Sequence, residues 1–295
     1  NKFVSEAFNK KASIAIVNTI NKYNNSKHQI KVKDTLKFLT KSSKVYRQNI
    51  NTKIIAITGS CGKTTLKELL GNSLKQISKV SVSPKSYNNK YGVPLSLFNL
   101  DQKDDYGVLE IGMDKKGEID YLSKIVQPDV SVITNINYAH AKNFKNLKQI
   151  ALAKSEIINN TKDSGFIILN ADDNFFALHK KIAIKKNLKI LSFSINSKNS
   201  NIKLISVKKV VNKFKVIIKV NNLKTYFFTS NDFQNNILNI LAALTVMSIF
   251  LDISKINKNI FMNFKTPSGR GDITKIKINN KNLNLIDESY NSNPL

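Results

Sequence analysis

An apolar, β-branched run, Lys53-Ile-Ile-Ala-Ile57, passes directly into Thr58-Gly-Ser-Cys-Gly-Lys-Thr-Thr65 and then into a stretch of helical composition. This strand–turn–helix junction constrains the fold more than any other segment. Glycines let backbone N–H groups close round phosphate oxygens, and the helix N-terminus adds its partial positive charge. In such a cradle Gly59, Ser60, Cys61, Gly62, Lys63, Thr64 and Thr65 would surround the phosphates of a nucleotide. Lys63 would reach the β- and γ-phosphates, and the Thr64 hydroxyl would ligate Mg²⁺. The pattern departs from G-x-x-x-x-G-K only at its first glycine, whose place is taken by Ile57. The expected ligand is ATP.

From Ile54 onward strands and helices alternate. Strands are expected at 79–83, 106–111, 130–136 and 166–169, and helices at 65–77, 118–126 and 147–158. A loop rich in Asn, Tyr and Gly fills 84–94. Residues 202–229 change to apolar/polar alternation broken by Asn-rich turns, as in a small antiparallel meander, and an apolar helix follows over 236–251. Ahead of the first strand, Val32, Leu36 and Leu39 share one face of a short helix over 32–39. The class is α/β: a P-loop-type, mostly parallel sheet flanked by helices, with a small antiparallel β meander.

The formal charge of +27 suggests nucleic acid until its make-up is examined. Of 47 basic residues only Arg47 and Arg270 are arginine, and the lysines are scattered along the whole chain. Base readout favours arginine forks clustered on one face, so no nucleic-acid partner is expected. The basic surface still draws anionic ligands at long range. The single cysteine, Cys61, excludes an internal disulfide and fits a reducing compartment. At its place in the loop it is read as contributing backbone. No apolar run is long enough to span a bilayer, so the expected location is the cytoplasm. The chain starts at Asn1 without a methionine and stops just after Tyr290-Asn-Ser-Asn-Pro294, as an internal fragment would.

Three further residues carry chemistry. Glu110 ends the run Gly107-Val-Leu-Glu110, and a strand-end acid beside the cradle is either a metal ligand or simply an exposed carboxylate. His140 follows the strand at 130–136 by a few residues and falls at the same sheet edge. Lys154 lies on the apolar stripe of 147, 150, 151, 157 and 158, where a core residue belongs. A buried ammonium must be paired or neutralised. Its stem could snorkel to the surface, its amine could pair with an acid, or CO₂ could convert it to an anionic, metal-binding carbamate.

Taken together these motifs resemble the Mur ligases, ATP-dependent amide-forming enzymes of peptidoglycan synthesis. That family's loop has the form T-G-[ST]-x-G-K-[ST], which accounts for Ile57. The resemblance also rests on Tyr87-Asn-Asn-Lys-Tyr-Gly-Val-Pro-Leu95, Leu109-Glu-Ile-Gly-Met-Asp-Lys-Lys-Gly-Glu-Ile119, Ile133-Thr-Asn-Ile-Asn-Tyr-Ala-His140 and Ala153-Lys-Ser-Glu-Ile157. Pro267-Ser-Gly-Arg270 and Leu285-Ile-Asp-Glu-Ser-Tyr-Asn-Ser-Asn-Pro294 extend it to most of residues 53–295. It implies a ligase that joins D-alanyl-D-alanine to UDP-N-acetylmuramoyl-tripeptide through an acyl phosphate, acting as a monomer. It implies three parts: the end of an N-terminal UDP-substrate domain (1–50), a central ATP-binding domain (51–283) and the start of a C-terminal domain (284–295).

Residue by residue, the resemblance implies that Lys63 and Asn89 contact the phosphates, with Asn88 beside them. Thr64 and Glu110 would bind one Mg²⁺, and His140 with a carbamoylated Lys154 the second. Arg270 and Asp287 would meet the nucleotide near the domain junction. The family pattern G-x-H-N-x-x-N-x-x-A-A stands here as Phe233-Gln-Asn235-Asn236-Ile-Leu-Asn239-Ile-Leu-Ala242-Ala243. Asn236 and Asn239 survive, while the glycine and histidine of this adenine-seating helix start are replaced.

Overall fold

The computed structural model describes residues 3–22, 25–138, 143–197, 199–278, 281–287 and 289–290. The chain opens with helix α1 (Val4–Asn9) and a short parallel pair, β1 (Ala15–Val17) with β2 (Gln29–Lys31). Helix α2 (Thr35–Gln48) comes next. It starts later and runs further than the expected 32–39. The Asp34 carboxylate accepts the Lys37 N–H at 3.0 Å and sets the first turn there.

The central elements in chain order are β3 (Lys53–Thr58), α3 (Lys63–Leu74), β4 (Val80–Val82), α4 (Gly92–Phe98), β5 (Tyr106–Glu110), α5 (Glu118–Val126) and β6 (Val130–Ile133). There follow α6 (Leu147–Asn159), β7 (Phe166–Asn170), α7 (Phe176–Lys185) and β8 (Lys189–Ser194). Then come β9 (Ile202–Val210), β10 (Lys213–Val220), β11 (Leu223–Thr229), α8 (Gln234–Met247) and a hairpin of β12 (Asp272–Ile278) with β13 (Lys281–Asp287). The α7–β8 pair and the hairpin were not foreseen in the sequence. The boundary expected between 283 and 284 falls inside β13.

Nine strands form one sheet in the order β11-β10-β9-β8-β7-β6-β3-β5-β4. Pairing is parallel from β4 through to β9 and antiparallel from β9 to β11, so the meander continues the main sheet at one edge. After β3 the chain runs to the edge strand β4, comes back to β5 beside β3, then crosses to the other side (β6, β7, β8). The loop leaving β3 therefore sits where strand order reverses, the crevice in which open α/β sheets bind ligands.

Both faces of β3 are covered, which is why its sequence is continuously apolar. Ile55 and Ile57 pack with Leu66, Leu70 and Leu244 from α3 and α8. Ile54 and Ala56 pack on the opposite face with Ile119, Ile150 and Ile157 from α5 and α6. Helix α2 is tied to this body by Arg47, only 3% exposed. Its guanidinium donates to Val126 O (2.8 Å), Gln127 O (3.1 Å) and Asp129 Oδ2 (2.9 Å). Burial pulls the Arg47 pKa down, and Asp129 opposes that pull. Replacing Arg47 by alanine takes the donor from Val126 O and Gln127 O and one partner from Asp129, which keeps Lys162 Nζ (3.0 Å) and the Ile54 N–H (2.9 Å). The expected loss is about 3 kcal/mol, read from the shift in urea midpoint at unchanged m-value. A shift under 1 kcal/mol would mean the fork contributes little.

Candidate active site

The loop leaving β3 is shaped by two glycines. Gly59 has φ +147°, and a Cβ placed there would lie 1.8 Å from Thr134 Oγ1. Gly62, at the N-cap of α3, has φ +80°, and its Cβ would lie 3.2 Å from Asn239 Oδ1 on α8. The segment after β6 stitches the loop in place. The Ser60 N–H donates to Asn135 O (2.9 Å), the Cys61 N–H to Asn135 Oδ1 (2.9 Å), and Thr134 Oγ1 to Cys61 O (2.6 Å). Ser60 Oγ and Asn137 bond each other in both directions at 2.8 Å. The Ser60 and Cys61 N–H groups thus brace the cradle. The donors that a helix leaves without intrahelical partners are those of its first turn, from Lys63 to Thr65.

Two lysines converge on one carbonyl. Lys63 Nζ donates to Gly59 O (2.9 Å) and Ser60 O (3.1 Å), and Lys154 Nζ reaches the same Gly59 O at 2.8 Å. Lys154 is 1% exposed, so it does not snorkel. Burial, then the neighbouring Lys63 charge, holds its pKa well below the ordinary lysine value. Burial also lowers Lys63, with Glu110 pulling the other way. Among the described residues, Thr58 Oγ1 is the buried side-chain polar atom with no hydrogen-bond partner. By strand alternation Thr58 faces the same side as Ile54 and Ala56, the side covered by α6 and hence by Lys154.

Glu110, at the end of β5, is 1% exposed and is no surface carboxylate. Its Oε2 accepts the Thr64 hydroxyl at 2.6 Å and its Oε1 accepts Asn88 Nδ2 at 2.7 Å. Its N–H donates to Ser83 Oγ at 3.3 Å. Asn89 turns its Oδ1 to the N–H groups of Tyr91 and Gly92, both at 3.0 Å, at the approach to α4. A cavity of about 830 Å³ opens above this cluster, lined by Lys63, Asn88, Asn89, Glu110 and Arg270 among others. A second, of about 710 Å³, meets Thr64, Ser86 and Arg270.

Residues 57–247 match the family model of the Mur ligase middle domain. The chain belongs to the Mur ligase family. It is 34% identical, over 99% of its length, to the UDP-N-acetylmuramoyl-tripeptide–D-alanyl-D-alanine ligase of Buchnera aphidicola subsp. Baizongia pistaciae. Among solved structures it resembles MurF from Acinetobacter baumannii (TM-score 0.85, 29% identity, 99% of this chain). It also resembles the MurF ligase of Thermotoga maritima in complex with ADP (TM-score 0.82, 26% identity, 99% of this chain). It spans 62%, 62% and 66% of the lengths of those three proteins.

This Mur ligase chain brings most, not all, of the expected site residues together. Arg270 lines both cavities, stacks over the Tyr290 ring (4.0 Å) and donates to Ser86 Oγ (3.2 Å). Asn239 is buried against Gly62. Asn236 instead holds the approach to α8, donating to Thr229 Oγ1 (3.0 Å) and Asn231 O (3.3 Å). Asp287 accepts the Ser289 N–H at 2.9 Å, the Ser289 side chain and then its backbone lower the Asp287 pKa, and the Asp287 backbone oxygen takes the Gly271 N–H. His140 lies outside the described residues. No helix among the described residues is long and apolar enough to cross a membrane.

Sequence reasoning overlooked the residues that brace the site: Ser83, Thr134, Asn135 and above all Lys67. Lys67 is fully buried in the apolar stripe of α3 with Leu66, Leu70 and Leu74. The misfit that singled out Lys154 was equally present there.

Proposed function

We propose that the protein is an ATP-dependent amide ligase that joins D-alanyl-D-alanine to UDP-N-acetylmuramoyl-tripeptide. The observation that carries the reading is the buried Thr64–Glu110–Asn88 cluster at the mouth of a phosphate loop, with the Lys154 amine on the loop's inner carbonyl. In the reaction a carboxylate oxygen of the tripeptide attacks the γ-phosphorus of ATP, and ADP leaves. The free amine of the dipeptide then attacks the acyl carbon, the phosphate departs, and the amine gives up a proton. Such chemistry needs positioning and charge neutralisation above all. Lys63 and the first-turn N–H groups of α3 hold the phosphates, and the Asn89 amide N–H₂ offers a further donor. Arg270 and Asp287 meet the nucleotide at the junction of the ATP-binding part (51–283) with the following one, and Asn239 supports the loop from α8.

The donor chemistry suits Mg²⁺: a hydroxyl and a carboxylate, both hard oxygens, beside the place of the phosphates. Thr64 and Glu110 would hold one ion. A carbamate on Lys154 would hold another with His140, and these ions offset charge on the transferring phosphoryl group. Carbamoylation needs a neutral amine, and burial beside Lys63 shifts Lys154 toward that form. Thr58 Oγ1, now unpartnered, would find an acceptor in a carbamate oxygen.

The test follows phosphate release from ATP by the reading frame carried to its natural ends, with UDP-N-acetylmuramoyl-tripeptide and D-alanyl-D-alanine omitted in turn. Release requiring both is expected. Release with the UDP-tripeptide and only another amine would make it a sister ligase, and ATP binding without release a silent partner.

A further inference from the structure

The Lys67 ammonium is fully buried. It donates to Ser83 O at 2.6 Å and to Lys85 O, and it forms an ion pair with Glu68 Oε1 at 3.0 Å. The cost of burying the ammonium is set against these contacts, so what the charge contributes is placement of the two carbonyls as well as stability. What it places is the segment that follows β4. Ser83 meets the Glu110 N–H through its own hydroxyl, Asn88 donates to Glu110 Oε1, and Ser86 receives Arg270. On the other side Lys67 stands one turn after Lys63 and Thr64 on the same helix. It is therefore the cross-link between the two halves of the cluster: Thr64 on α3, and the 83–88 segment that orients Glu110.

We infer that Lys67 is a positioning residue for the divalent-cation site, setting the Glu110 carboxylate against the Thr64 hydroxyl by pinning residues 83–88 to α3. The inference rests on the proposal that Thr64 and Glu110 hold Mg²⁺ beside the nucleotide. Residues that orient metal ligands carry roughly 10–100-fold in metal affinity when removed. A merely structural prop would lower stability and nucleotide affinity together, without regard to metal.

The experiment compares the wild-type protein with Lys67→Met and Lys67→Gln. ADP binding is titrated calorimetrically with and without Mg²⁺, Mn²⁺ binding to the ADP complex is followed by electron paramagnetic resonance, and thermal melts report the fold. In Lys67→Met, Mn²⁺ affinity for the ADP complex should fall at least tenfold, while metal-free ADP affinity stays within about twofold. Lys67→Gln, still able to donate to a carbonyl, should fall between the two. Wild-type metal affinity in either variant that folds overturns the inference. So does an equal loss with and without metal, or unfolding of both variants, since each marks a structural prop. If wild-type ADP binding gains nothing from Mg²⁺, the metal reading itself fails, a separate result from the first.

Discussion

Replacing Lys154 by alanine is expected to lower ligation by on the order of 10²–10³-fold or more while leaving the fold intact, the scale on which preorganised charge at a transferring group acts. The fold should tolerate the change because the Gly59 carbonyl that Lys154 serves keeps Lys63 as its donor, so no buried acceptor is left unpaired. Activity should not, because the residue's proposed use is as a carbamate. High bicarbonate is expected to restore part of the rate by placing a small oxyanion in the space left behind. In the wild type, ¹³C-bicarbonate should give a carbamate resonance that the variant lacks. Undiminished turnover in the variant would end the carbamate proposal, and a melt displaced by tens of degrees would recast Lys154 as structural. The pH dependence has a definite sign. An unmodified Lys154 with a depressed folded pKa binds fewer protons folded than unfolded, so stability rises with pH from that depressed value toward the ordinary lysine range.

Much of this site was legible because its residues break local rules. Gly-Lys-Thr after an Ile-rich strand announces the cradle, the acid ending β5 announces Glu110, and a lysine in an apolar stripe announces Lys154. The strand order, by contrast, rests on pairings such as β3 with β6, whose partners are some 75 positions apart in chain and leave no local trace. The stitching of Ser60 and Cys61 to Asn135 and Asn137 is hidden for the same reason. Other misses had signals. The loop expected over 84–94 from its Asn, Tyr and Gly overlaps the start of α4, where Pro94 falls in the first turn and needs no N–H and Asn89 Oδ1 accepts the Gly92 N–H. The β12–β13 hairpin shows plain alternation, Thr274-Lys-Ile-Lys-Ile278 and then Asn282-Leu-Asn-Leu285. In α7 the lysine pairs at 180–181 and 185–186 blur the helical period that Leu178, Ile182 and Ala183 follow.

Gly59→Ala should be the most damaging change of a single methyl group in the chain. The new Cβ would fall 1.8 Å from Thr134 Oγ1 and 3.1 Å from the Thr134 backbone nitrogen, at a φ of +147° that a side chain rarely adopts. Backbone strain of about 1–3 kcal/mol adds to an overpacking cost of about 1–3 kcal/mol. A loss near 4 kcal/mol is therefore expected, with nucleotide binding lost beyond what instability explains. The excess arises because the Gly59 carbonyl carries both Lys63 and Lys154, and Thr134 in turn holds Cys61 O. Gly117→Ala is the control for strain alone: its φ is +88°, and nothing lies within 4 Å of the added Cβ. It should cost about 1 kcal/mol. The double variant Gly59→Ala/Thr134→Ala removes the closest clash while Thr134 Cβ remains at 3.0 Å. Denaturant unfolding should then show it recovering part of the stability, a favourable coupling between adjoining sites. If Gly59→Ala costs no more than Gly117→Ala, the loop yields without resistance, and the rigid cradle that seats both lysines is not what holds the phosphates.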